Sequence, residues 1–148
     1  MMNRIKLRWM GISLLVPLAS GIAHASGNNE DPYLYLLDPA FTDQLPPNNP
    51  LRDPAVAKAY HAHLLAEKEL YKHIIATLGP RPQMTKEELY AESNGDTVIR
   101  PDILAYDERH ENLKRTDLEY RALSEKYETL RNDYRTREKA FRSAENAS

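Results

Sequence analysis

The feature that most constrains this 148-residue chain is its C-terminal third, which holds no glycine or proline after Pro101. Nothing in that stretch forces the backbone out of a helix, and its charges are spaced to support one. Glu111–Arg115, Asp117–Arg121, Asp133–Arg137 and Glu138–Arg142 are acid-before-base pairs four residues apart. Each such pair contributes about 0.2–0.5 kcal/mol on an exposed helix. The spacing predicts one helix over roughly 101–143, about 60 Å long at about 1.5 Å per residue.

A seven-residue register runs through this helix, with Tyr106, Leu113, Tyr120, Tyr127, Tyr134 and Phe141 at one position and Leu123 and Leu130 three later. That is the pattern of a helix wrapped around another helix. Tyrosine suits a narrow seam because it buries a ring while its hydroxyl stays wet. Tyr120, Leu123, Tyr127, Leu130, Tyr134 and Phe141 are therefore the candidate partner-binding residues, meeting either a protein partner or a second copy of the chain.

An internal partner is also available. Asp53 is a good N-cap, Pro54 suits the first helical position, and Gly79-Pro80 is a stop. Between them Val56, Tyr60, Leu64, Tyr71, Ile74, Ile75 and Leu78 recur at helical spacing, which predicts a helix over 54–78 with those residues on one face. A short helix over 86–93 follows, because Thr85 and Glu88 have capping-box spacing and Asn94-Gly95 has turn chemistry. The fold class is mostly α, a helical hairpin or coiled coil over 54–148. Pairing about 25 residues with about 43 leaves about 18 residues, or about 27 Å, of the long helix without an internal partner.

The N-terminal part reads differently. Residues 1–25 combine basic Arg4, Lys6 and Arg8, an apolar run from Met10 to Ala23, and the small-residue site Ala23-His24-Ala25. This is the pattern of a secretory signal peptide cleaved after Ala25; the run is shorter than the about 20 residues that span a bilayer. The expectation is a bacterial periplasmic protein, with secretion as the other destination and no permanent membrane anchor once the signal is removed. Removing it takes away three basic residues and no acid, so the formal charge of −2 becomes −5. An acidic balance argues against nucleic-acid binding, which relies on clustered excess Lys and Arg. With no cysteine there is neither a disulfide framework nor a thiol nucleophile.

Residues 26–53 carry Pro32, Pro39, Pro46, Pro47 and Pro50, which forbid a continuous helix and predict an extended or irregular segment. Its one apolar block, from Tyr33 to Leu37 with Phe41, either packs along the chain's own helices or serves as a docking strip.

Chemistry-bearing patterns are sparse. His61, His63, Glu67, Glu69 and His73 share the first long helix, and two of the His/Glu pairs are four apart, a spacing that lets two ligands meet one ion. His63 and His73, however, stand about 15 Å apart along the axis, so the set amounts to two separate pairs. His110-Glu111 is a further loose pair. There is no glycine-rich phosphate loop and no Gly-x-Ser-x-Gly elbow, so no cofactor and no catalysis are expected. In outline, an exported, cysteine-free helical chain of this size resembles the small periplasmic helical chaperones and stress-sensor accessory proteins. It lacks the Leu-Thr-x-x-Gln repeats of the hairpin-type chaperones, the nearest approach being Met84-Thr85-Lys86-Glu87-Glu88. The sequence thus leads to a non-enzymatic structural, adaptor or chaperone-like accessory factor working through helix contacts, the alternative being a metal-responsive module on the first helix.

Overall fold

A computed structural model describes residues 31–148, and every regular element among them is helical. The order is a 3-10 turn at Leu34–Leu37, α1 (Pro39–Thr42), a second 3-10 turn at Pro50–Arg52, α2 (Pro54–Leu78), α3 (Lys86–Ser93), α4 (Pro101–Thr116) and α5 (Leu118–Asn146). None of the described helices is long and apolar enough to cross a membrane.

Local chemistry explains both ends of α2 and the start of α3. The Asp53 carboxylate accepts from the Ala55 N–H at 2.8 Å with Pro54 at the first position, and Gly79, at φ +78°, closes α2 by donating its N–H to Ile75 O at 2.8 Å. At α3 the capping box forms in full, with Glu88 N–H donating to Thr85 Oγ1 and Thr85 N–H donating to the Glu88 carboxylate.

The expected single helix over 101–143 is divided at Asp117. Its backbone is extended, at φ −92° and ψ 115°, and its carboxylate accepts from the Tyr120 N–H at 2.7 Å as the N-cap of α5. The Arg121 guanidinium reaches back to the carbonyls of Lys114 and Arg115, supplying donors to the last turn of α4. Asp117 and Arg121 thus satisfy the two sides of a helix break instead of pairing with each other. Glu111 likewise bonds Lys114 at 2.8 Å rather than Arg115, whereas Asp133–Arg137 and Glu138–Arg142 form as spaced.

Helix α5 packs antiparallel along α2. Tyr120 joins Ile74 and Leu113 in the core, the Lys126 ammonium lies 3.1 Å from Glu69, and Tyr134 meets Tyr60 at a centroid distance of 4.9 Å. Buried residues on α2 are Val56, Ala57, Ala59, Ala66 and Ile74, and Leu70 and Leu78 pack against the cluster of Ile74, Leu113 and Tyr120. This stripe is rotated from the expected one: Ala66 is 2% exposed, while Tyr71 and Ile75 face solvent at 47% and 36%. Three of the five buried residues are alanines, and the α5 rings Tyr127 and Tyr134 meet the larger His63 and Tyr60 of α2.

The expected overhang of the long helix is taken up at both ends. On one side, α4 lies over the end of α2, where the Tyr106 hydroxyl donates to Gly79 O at 3.1 Å and Arg81 forms a two-bond pair with Asp107 at 2.9 and 3.0 Å. On the other, the turn at Pro50–Arg52 packs against both α2 and α5. The proline-rich segment is thus a strap of short turns. Part of its apolar block packs along the chain's own helix, with Leu36 buried and Tyr35 edge-on to Phe41 at 4.9 Å, while Leu34 and Leu37 stay exposed.

Candidate functional site

The five first-helix residues with metal-ligand potential go to separate places. His61 Nε2 pairs with the Asp31 carboxylate at 2.7 Å. His73 pairs through Nε2 with Asp117 at 3.3 Å and through Nδ1 with Glu119 at 3.6 Å, so its two nitrogens face two different acids. Glu69 is engaged by Lys126. Burial pushes the Glu67 carboxyl above its usual range, with Arg131 opposing. No three His, Asp or Glu residues among those described converge on one point. His110, on α4, is buried between Tyr106 and Tyr120, with ring centroids at 6.4 and 5.7 Å. Its neighbour Glu111 turns outward to Lys114.

His63 belongs instead to an aromatic cluster inside the hairpin. Its ring centroid is 5.2 Å from Tyr127, 6.0 Å from the parallel ring of Tyr134 and 6.2 Å from Tyr60. Aromatic pairs at these distances contribute about 0.5–1.5 kcal/mol beyond their buried area. Burial pushes the phenols of Tyr60, Tyr127 and Tyr134 upward, that of Tyr134 to about 12 with Glu138 adding to the effect. Burial, followed by the positive charges of Arg131 and Arg135, pulls the His63 imidazole below its ordinary value.

Of the residues with partner-binding potential, Tyr120, Tyr127 and Tyr134 turn inward, and Leu123, Leu130 and Phe141 are half-buried on the same helix. The two helices of the hairpin, α2 and α5, therefore complete much of the heptad themselves. Where the seam meets the strap, a groove of about 320 Å³ opens, lined by Pro46, Asn49, Leu51, Tyr60, Tyr134 and Arg142 among others.

Other large apolar side chains are exposed along the chain, among them Leu34, Leu37 and, at 77%, Leu118 on α5. Leu89, Tyr90, Ile99 and Leu104 are 52–72% exposed and fall within the segment from α3 to the first turns of α4. Helix α3 packs little against the other helices, and its anchor is Arg100. That guanidinium makes a two-bond pair with Asp102 at 3.0 and 2.9 Å, reaches Glu88 at 2.6 Å and donates to Gln83 O at 3.3 Å. Helix α3 and the link to Pro101 thus form an arm, held at its base by ionic contacts and carrying Leu89, Tyr90 and Ile99 outward, whereas α4 is fixed in the core through Ile103, Tyr106 and Leu113 and exposes Leu104 on its outer face. Leu89 and Tyr90 were visible in the sequence as a small apolar face; their lack of an internal partner was not, because that depends on where the chain turns after Gly79.

No family model matches the chain, and no curated protein or solved structure matches it either.

Proposed function

We propose that the chain is an exported, non-enzymatic helical adaptor or chaperone-like accessory factor of the bacterial envelope. In this reading the α2–α5 hairpin is a scaffold, and the α3 arm with the outer face of the start of α4 meets a protein partner. The observation that carries it is the exposure of Leu89, Tyr90 and Ile99 on an arm that the hairpin does not cover, with Leu104 exposed at the start of α4 next to it in the chain. Apolar side chains grouped on a charged surface favour protein contacts. Glu87, Glu92 and Asp96 stand among them, with Lys86 as the basic exception on α3, so the fitting partner presents an apolar cleft with a Lys/Arg rim. Export is supported by the basic start, apolar run and small-residue site of residues 1–25, which lie outside the described residues.

This reading moves the contact surface away from the Tyr/Leu heptad, whose rings are occupied by α2. The alternative of a metal-responsive module gains no support from the geometry, because His61, His63 and His73 have three different sets of neighbours.

Photo-crosslinking in the native cells tests the proposal. A photoreactive residue at Tyr90 or Leu104 is expected to yield a discrete protein adduct, and one at Tyr127 to yield none. An adduct of twice the chain's mass identifies the partner as a second copy. Absence of adducts at both Tyr90 and Leu104, or stronger adducts at Tyr127, contradicts the reading.

A further inference from the structure

The hairpin holds a titratable group in an unusual setting. His63 Nδ1 is sealed from solvent and has no hydrogen-bond partner among the described residues. Around the ring stand Tyr60 on its own helix and Tyr127 and Tyr134 on α5. Arg131 of α5 lies with its guanidinium 6.0 Å from the Tyr127 ring, and both it and Arg135 act on the imidazole with positive potential. The acids nearby are weakly placed to compensate. Glu128 of α5 favours the charged imidazole but is outweighed, and Glu67, one turn along α2, is itself held toward its neutral form by burial. From the N-terminal strap, Tyr33 acts on Glu67 and Tyr60, and Tyr35 acts on Tyr60, and neither brings a charge at neutral pH.

The chemistry of imidazole makes this setting one-sided. Neutral, its unprotonated Nδ1 is only a bare acceptor, which the rings tolerate. Protonation turns that atom into a donor with nothing to accept it and adds a positive charge beside two arginines. Both changes disfavour the closed seam.

We propose that His63 is an acid-sensitive latch of the hairpin, whose protonation loosens the contact between α2 and α5 and uncovers the Tyr127 and Tyr134 rings. The sign follows from linkage. The imidazole's value is lowered in the closed state, so the open state takes up the proton first as pH falls. Closure is therefore favoured above the ordinary imidazole range of about 6.5 and weakens progressively below it. This goes beyond the adaptor reading and is independent of it, since it concerns the seam and not the arm.

Amide hydrogen exchange on the intact protein tests the latch. Protection factors for α5 between Tyr120 and Phe141 are expected to fall severalfold from pH 7.5 to pH 5.5, the limit for a single proton being about tenfold per pH unit. His63→Phe keeps a ring and cannot charge, so it should hold most of that protection at pH 5.5. His110→Phe, at the other buried imidazole, should still show the loss across the Tyr127–Tyr134 stretch. Equal losses in His63→Phe and the unaltered protein, or a loss abolished only by His110→Phe, would overturn the proposal. Should His63→Phe fail to fold, the NMR titration of the His63 ring in the unaltered protein decides. A midpoint below about 6.5 supports the latch and one at or above it refutes the latch.

Discussion

At the residue scale, the seam rests on a division of labour between rings and methyl groups. Ala59 and Ala66 are seven residues apart on α2 and both buried, while Tyr120, Tyr127 and Tyr134 repeat at seven on α5. Tyr127 and Tyr134 meet the rings of His63 and Tyr60 on α2, while the alanines hold the most buried positions of that helix together with Val56. The sequence shows the tyrosine half clearly, because rings at constant spacing stand out against charged neighbours. It conceals the alanine half, since alanine serves equally well on an exposed helix face. Ranking by bulk selected Tyr71 and Ile75 in its place. Ala66→Leu is accordingly expected to destabilise the protein by about 1–3 kcal/mol through overpacking. Tyr71→Ala, at a position 47% exposed, should cost well under that. Urea denaturation of the two variants ranks them directly, and the reverse order would mean that the buried face of α2 is the other one.

At the element scale, helix boundaries set by caps were readable and those set by packing were not. Asp53, Thr85 with Glu88, and Gly79 carry their meaning in their residue types, and each caps as expected. Asp117 carries two meanings. Next to Arg121 it has the spacing of a surface ion pair, and before Leu118 it has the chemistry of an N-cap. The second prevails because ending α4 there lets Leu113 and Tyr120 share one core with Ile74, while His73 gives the Asp117 carboxylate a further partner. Hydrogen bonding from the Tyr120 N–H, with His73 adding to it, holds that carboxyl below its usual range, so the cap persists well into mild acid. The arm obeys a different rule, since ionic contacts rather than burial fix it. Its amides in α3 should exchange at least about tenfold faster than those of α2, because an isolated helix of this length is marginal in water. Arg100→Ala should speed α3 further and leave the thermal midpoint of the hairpin nearly unchanged. A large drop in that midpoint would show that the arm is part of the core.

At the scale of the whole molecule, the question raised by the heptad was whose helix completes it. A chain with few aliphatic residues and nine tyrosines has to build narrow seams rather than a broad core. The fold class was legible for that reason. The way the surplus length is used was not, because it depends on a break at one aspartate and on a proline-rich strap that folds into short turns and covers the far end of the hairpin. A strap of this kind has no periodicity to read. Together these features turn Tyr127 and Tyr134 toward α2 and leave α3 as an arm with little cover from the hairpin.

The central claim is that α2 of the same chain, and not a second molecule, fills the seam of α5. Since the chain has no cysteine, the pair Glu69→Cys and Lys126→Cys introduces the only thiols, at two positions whose native side chains meet at 3.1 Å. Treated with a short bis-maleimide at low micromolar protein, the double variant is predicted to bridge within one chain, giving a monomer of raised mobility on a denaturing gel with both cysteines in one linked peptide pair. Bridging only between chains, or no bridging between these positions, would contradict it.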